Sequence, residues 1–367
     1  MMLNTAMLKQ WAGAIGLLCA AALLTGCSLM DLDRDHCPEG LNVSFAYDYN
    51  TQRADMFCDH VGGIEVFVFD ENGKLVASRC VSNDDSNQPL KTPGYTMEFD
   101  DLPAGNYQVL AAAFQHDRRE LLGKPGAKFR LTTPAIGETM AQLYATLDHE
   151  APEADGTCPV KQDGLPLDTL WLTLPEPAVA VDHINPTFTT ARLVRHTKDI
   201  HLTLRQGAAP YEINHEDYEV SIVDANGRIA ADNSLTDPTP LRYTPYAAWN
   251  TSLAAQAPEN REAVATGTTA HYNLNTSRLI YPETGQQGAL LRVVRKSTGA
   301  LVFETSLPRF LAEGRNAYES LRWTPQEYLD REYDYDLHLF LVGDRWEYVE
   351  MSIGILGWSR RVMNVDL

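Results

Sequence analysis

Helix-spaced apolar residues are nearly missing from this 367-residue chain; only 134–147 (PAIGETMAQLYATL) and 324–333 (TPQEYLDREY) have the spacing of short helices. Strands must therefore build most of the fold. Basic residues are also scarce, with 30 Lys and Arg against 49 Asp and Glu. A surface that acidic repels polyanions, so nucleic acid is excluded as a partner. The six cysteines include no CxxC pair, and the ten histidines show no ligand spacing beside them, so no metal site is assigned. Neither a phosphate loop nor a dinucleotide fingerprint is present, and no cofactor is expected. In GWSRR the second glycine of a GxSxG elbow is missing, which removes Ser359 as a nucleophile. No catalytic residue is assigned, and the chain is not expected to be an enzyme.

Long apolar runs are limited to one. Lys9 precedes an uncharged stretch from Trp11 to Leu24. Fourteen residues fall short of the roughly 20 needed to span a bilayer but match the roughly 7–15 of a secretory signal. The stretch ends in Leu24-Thr25-Gly26-Cys27, which resembles the lipobox of bacterial lipoproteins: an apolar residue, two small ones, then cysteine. The resemblance implies removal of residues 1–26 and acylation of Cys27 as the first mature residue. Each buried methylene contributes about 0.8 kcal/mol, so several acyl chains hold a protein to a membrane where a single chain binds only reversibly. Residues 27–36, with Asp31, Asp33 and Asp35, then form an acidic tether. Residues 1–26 hold one lysine and no acid, so the remainder carries 29 basic and 49 acidic side chains, a net charge of −20.

Cys19 leaves with the signal and Cys27 is acylated, which leaves Cys37, Cys58, Cys80 and Cys158. Outside the cytoplasm an even number predicts two disulfides, with three connectivities open.

What the chain has in quantity is alternation. In LNVSFAYDYN, Leu41, Val43, Phe45, Tyr47 and Tyr49 alternate with Asn42, Ser44, Ala46 and Asp48, the period of a strand with one buried face. GGIEVFVFDENGKLVAS reads as a hairpin turning at Asn72-Gly73, and EVSIVDANGRIAAD repeats the pattern 154 residues later at Asn226-Gly227. Further strands are expected at 107–114, 170–174, 191–206, 218–224, in the hairpin of LLRVVRK with ALVFET, in DLHLFLV and in WEYVEMSIGI. Pro175, Pro177 and Pro186 interrupt the pattern between the halves. The expected fold is all-β, with two β-sandwich domains in tandem over 37–180 and 186–367.

Several groups invite a chemical reading and a plainer one prevails. At DREYDYD (330–336), Tyr333, Tyr335 and Leu337 alternate with Asp334, Asp336 and His338, which reads as a strand entry with a solvated face rather than a glycosidase pair or calcium ligands. The NDDSN segment (83–87) reads as a polar turn rather than a cation loop. His196 and His201, five apart on a strand, face opposite ways and share no metal. Trp171, Trp249, Trp323, Trp346 and Trp358 read as core filling before sugar platforms. Asp168-Thr169-Leu170 resembles a short bacterial O-glycosylation motif; the plainer alternative is a solvent-facing strand threonine.

Taken together and in order, CPEGLNVSFAYDYN, IEVFVFDENGKLV, FDDLPAGNYQVLA, NPTFTTARLVRHTKDIHLTLR, YLDREYDYDLHLFLV and SIGILGWSRRVMNVDL resemble the FimB-like fimbrial anchor lipoproteins of Bacteroidales type V pili. The resemblance spans nearly the whole mature chain and implies two transthyretin-like Greek-key β-sandwich domains. It also implies a structural role at the base of a fimbria, on the outer face of the outer membrane. Acylated Cys27 would hold the lipid, and β-strand edges would hold the shaft subunits. A tip or accessory adhesin of the same pilus and a glycan-binding surface lipoprotein are the rival readings. The resemblance further implies that in related shaft subunits an arginine-specific protease removes the first strand. Here Arg53 follows that strand, and Cys37 precedes Arg53 while Cys58, Cys80 and Cys158 follow it. A Cys37 disulfide to any of the three would keep strand 41–49 attached after a cut.

Overall fold

The alternating segments become strands in the computed structural model, which describes residues 40–182, 185–209, 211–253, 267–343, 345–353 and 361–363. The first half supplies β1 (Leu41–Ala46), β2 (Gly63–Phe69), β3 (Leu75–Ser82), β4 (Thr96–Phe99), β5 (Gly105–Phe114), β6 (Phe129–Thr132), β7 (Tyr144–Leu147), β8 (Cys158–Val160), β9 (Leu170–Thr173) and β10 (Val179–Val181). The second supplies β11 (Thr187–Arg195), β12 (Lys198–Gln206), β13 (Tyr218–Asp224), β14 (Arg228–Ala230), β15 (Leu241–Tyr243), β16 (Ala247–Leu253), β17 (Gly267–Thr276), β18 (Leu290–Arg295), β19 (Ala300–Ser306), β20 (Asp334–Val342), β21 (Arg345–Ile353) and β22 (Arg361–Met363). Among the described residues, five short helices accompany them: α1 (Phe57–His60), α2 (Arg118–Leu122), α3 (Leu307–Glu313), α4 (Ala317–Arg322) and α5 (Pro325–Arg331). The fold is all-β.

The strands form an eight-stranded sheet, β3-β2-β5-β9-β11-β1-β4 with β10 on β5; a six-stranded sheet, β16-β17-β12-β20-β21-β22; a five-stranded sheet, β19-β18-β13-β15-β8; and a three-stranded sheet, β14-β7-β6. Backbone pairing crosses the proline-rich segment in both directions. β11 inserts between β9 and β1, and β8 completes the five-stranded sheet beside β15.

Period-two patterning explains the two cores. Leu41, Val43 and Phe45 of β1, Val66 and Val68 of β2, Ala111 and Ala113 of β5, and Trp171 of β9 point to one face of the eight-stranded sheet and enclose the smaller core with Phe57 and Leu90. The opposite face, through Phe67, Phe69, Ala112, Phe114 and Leu172, joins a larger core. That core continues through Phe129 and Ala145 of the three-stranded sheet to Leu202 and Leu337 of the six-stranded sheet and Ile222 and Leu291 of the five-stranded sheet. Each fully buried Val, Leu, Ile or Phe contributes about 1.5–3 kcal/mol.

Two local expectations are corrected. Segment 134–147 forms a single tight turn at Met140–Gln142 followed by β7, not a helix. Pairing decides it, because Ala145 lies between Leu131 of β6 and Ile229 of β14 with its side chain buried. The second Asn-Gly pair makes no hairpin: β13 pairs with β15 and β18, while β14 leaves for the three-stranded sheet. The Asn226 amide is buried and donates to Thr276 Oγ1 (3.2 Å) and the Arg278 carbonyl (3.1 Å). At the first pair only Gly73 takes positive φ, +68°, so the β2–β3 turn closes over Asp70–Lys74 with a register shift rather than as a two-residue loop. Helix α5 forms as expected, with Thr324 as N-cap and Pro325 in its first turn.

Candidate functional site

β1 is an interior strand. It runs parallel to β11 from Leu41↔Thr187 to Ala46↔Arg192 and antiparallel to β4 on its other side. Ser44 Oγ also donates to the Thr189 carbonyl (3.1 Å) and meets Thr190 Oγ1 at 2.8 Å. The chain then enters a loop closed by its own polar groups. Buried Asn50 donates to the carbonyls of Tyr47 and Ala54, both at 2.8 Å, and Asp55 Oδ1 accepts from the amides of Tyr47 (2.8 Å) and Phe57 (3.0 Å).

Arg53 sits at the tip of this loop with φ +57°. Its guanidinium lies 4.4 Å from the centre of the Tyr318 ring and donates to the Tyr318 hydroxyl at 3.1 Å. Arg322 stacks on the same ring at 4.4 Å. Arg331 continues the series, 5.0 Å from Trp323 and 3.9 Å from Tyr49. Helix α4 carries this patch on a surface where Leu321 is 88% exposed. Its capping box, Asn316 with Glu319, fixes the helix although it buries no residue.

Beneath the loop, the link between β11 and β12 passes through the interior. Arg195, His196, Thr197 and Lys198 are all buried. Lys198 Nζ donates to the carbonyls of Glu332 (2.8 Å), Arg195 (3.3 Å) and Asp330 (3.4 Å). Burial lowers its pKa to about 7, and burial likewise raises that of Glu332, whose carboxylate accepts from Thr51 Oγ1 at 2.7 Å. Asp330 pairs with Arg278 at 2.8 Å. His196 meets Asn233 Oδ1 at 2.7 Å, and burial holds it neutral, well below its ordinary range. The strand-entry reading holds: Asp334, Asp336 and His338 stay partly open while Tyr333, Tyr335 and Leu337 are buried, and Asp330 and Glu332, ahead of that strand, are buried pieces of this junction.

The outer face of the six-stranded sheet is polar. His201 pairs with Asp334 at 3.2 Å across β12 and β20, and hydrogen bonding to that carboxylate raises the imidazole pKa to about 9. Trp249, 40% exposed, stacks on His271 with centroids 5.1 Å apart. The His271 nitrogens meet the hydroxyls of Thr203 (3.3 Å) and Thr251 (2.8 Å), which fix the ring.

The other singled-out residues scatter. Cys58 on α1 is half-buried, Cys80 on β3 is exposed and Cys158 on β8 is buried; all three are free thiols, and no disulfide forms among the described residues. Cys27, Cys37, Asp31, Asp33, Asp35 and Ser359 lie outside those residues. Thr169 is 2% exposed at the start of β9, so the folded chain offers it neither to solvent nor to a modifying enzyme. Asp84 closes the 83–87 turn by accepting from the amides of Ser86 and Asn87 (2.7 Å each). Trp171 fills the smaller core, and Trp323 packs against the larger. Among the described residues no group of three His, Cys, Asp or Glu side chains is placed to hold a metal, and no helix is long and apolar enough to cross a membrane. The Arg53–Tyr318 stack escaped the sequence reading because its partners lie 265 residues apart.

An interior first strand, a locked junction and strands gathered into stacked sheets place the protein in the β-sandwich class. A family model for the fimbrillin-A associated anchor proteins Mfa1 and Mfa2 matches residues 34–363, so the chain belongs to that family. It is similar to a candidate adhesin from Bacteroides thetaiotaomicron, with 26% identity and TM-score 0.69 over 89% of this chain and 99% of that one. A candidate polysaccharide-binding protein from the same organism gives 28% identity and TM-score 0.65 over 89% and 98%. The fimbrial anchor protein Mfa2 from Porphyromonas gingivalis shares the fold at 18% identity and TM-score 0.59 over 88% and 98%. No curated protein sequence matches the chain. Membership makes the chain an anchor or accessory component of fimbriae.

Proposed function

We propose that the protein is a non-enzymatic lipoprotein that anchors a fimbria to the outer membrane, with acylated Cys27 in the lipid and sheet edges toward the shaft. One observation carries this reading: the strand that follows the tether is held on both sides by later strands, β4 and β11. A tethered protein whose first strand sat at a sheet edge could lose it and its lipid together. The tandem sandwiches of 37–180 and 186–367 act on this reading as one body, because β8 and β11 each pair across the boundary. Open strands suit the shaft, since unpaired amides and carbonyls accept a neighbour's strand; β3 and β4 border the eight-stranded sheet and β19 the five-stranded one.

Mass spectrometry of protein from native membranes, together with immunogold on intact cells, tests the proposal. The expected result is an acylated N-terminal Cys27 and label at fibre bases. A water-soluble native protein, or label at fibre ends only, overturns it.

A glycan-binding adhesin is the second reading. It is favoured by the exposed, immobilised Trp249 ring and by the likeness to a candidate polysaccharide-binding protein. A glycan array probed with the wild type and with Trp249→Ala decides it: signal lost in the variant supports this reading, and no signal with either protein removes it.

A further inference from the structure

We infer a further, mechanical function: β1–β11 and β12–β20 are two parallel strand pairs placed in series so that tension along the chain loads both in shear. Its purpose rests on the anchor reading, but its test does not.

The geometry follows from register. β1 and β11 run parallel, Leu41 beside Thr187 and Ala46 beside Arg192. Tension from the N-terminal side enters β1 at Leu41. It leaves β11 at the opposite end, Arg195, where the chain continues into β12. The force therefore runs along the strands while their hydrogen bonds lie across it, so every bond of the pair shares the load. Had the strands been pulled from neighbouring ends, the bonds would open one at a time.

The arrangement then repeats. β12 is parallel to β20 from Asp199↔Asp334 to Gln206↔Leu341. Load enters β12 at Lys198, and a load applied near Val342 leaves β20 at the far end. Between the pairs the link is not a flexible tether: Lys198 is wholly buried and bonded to the Glu332 carbonyl. Water is kept from both pairs on the core side, by Leu41 and Val43 in one and by Leu202, Leu204, Leu337 and Leu339 in the other. Side chains add cross-ties, Ser44 to Thr190 in the first pair and His201 to Asp334 in the second.

Single-molecule force spectroscopy on the full mature chain tests the inference. One handle is fixed at the N-terminus. The other is an azide-bearing residue at exposed Val342, which loads both pairs in shear, or at exposed Asn185, beside the entry end of β1, which unzips the first pair. Thermal melts matching the unlabelled protein establish folding beforehand, and handles at Arg345 and Asp182 give a second set with the same two geometries. Forced rupture reports the unfolding rate along the pulled direction. We expect a rupture force about threefold higher for the Val342 geometry than for the Asn185 geometry at equal loading rate. Equal forces in the two geometries, or a weaker Val342 geometry, overturn the inference whatever the protein's place on the cell. Loss of fimbrial localisation with the force ratio intact would strike the anchor reading alone.

Discussion

Lys198 places its ammonium 2.8 Å from the Glu332 carbonyl, while the Glu332 carboxylate reaches Thr51 at 2.7 Å, so one buried pair of residues ties the second sheet system to the loop that follows the first strand. Truncating a buried charged residue leaves its partners without compensation, at a cost of about 3–5 kcal/mol. Lys198→Ala is expected to lose stability of that order in urea unfolding followed by fluorescence. A loss under about 1 kcal/mol would mean that the junction does not depend on this ammonium.

Arg53 is exposed yet poorly presented to a protease. An extended backbone is what proteases grip, whereas Arg53 has φ +57° and its guanidinium is engaged by Tyr318. A cation–π contact contributes about 0.5–2 kcal/mol, so Tyr318→Ala should speed trypsin cleavage after Arg53 about three- to tenfold. N-terminal sequencing of the fragments reads this directly. Equal cleavage rates in the two proteins would show that the stack protects nothing.

The three described cysteines differ in access. Iodoacetamide should alkylate exposed Cys80 first in the native protein, half-buried Cys58 more slowly, and buried Cys158 only on unfolding. Peptide mass mapping over a time course gives the order. Early labelling of Cys158 would contradict its place in the larger core, and a native disulfide between any two of the three would contradict the thiol assignment.

His201 has a folded pKa of about 9 against an ordinary 6.5 because it is hydrogen-bonded to Asp334. Raised in the folded state, it contributes stability that is fully present below about pH 6.5 and lost as pH climbs through about 9. Lys198 also titrates in this range, so the wild type must be compared with His201→Gln, in which that lysine is unchanged. The stability difference between the two proteins should be flat in acid and shrink between pH 7 and 10. A difference that does not vary with pH would remove the ion pair from the account.

Much of this architecture was legible in the sequence. Alternation placed β1, β12 and β20, the paired runs LLRVVRK and ALVFET marked the β18–β19 hairpin, and helical spacing located α5. All of these are local signals. What escaped depends on partners far away in the chain. Nothing in DREYDYD announces that Arg278 and Lys198 will meet its Asp330 and Glu332 in the interior. The second Asn-Gly looked like a hairpin because its side chain's tertiary bonds to Thr276 and Arg278 are invisible in a window of ten residues. Thr169 fits a modification motif, and only the folded sheet removes it from reach.

The insertion of β11 beside β1 also sets an order in time. Ser44 and its partner Thr190 are separated by 146 positions. During synthesis from the N-terminus, the leading strand must wait, one flank bare, until that distant stretch arrives. A chain cut short before residue 187 would leave that flank unpaired, an edge open to pairing with another chain.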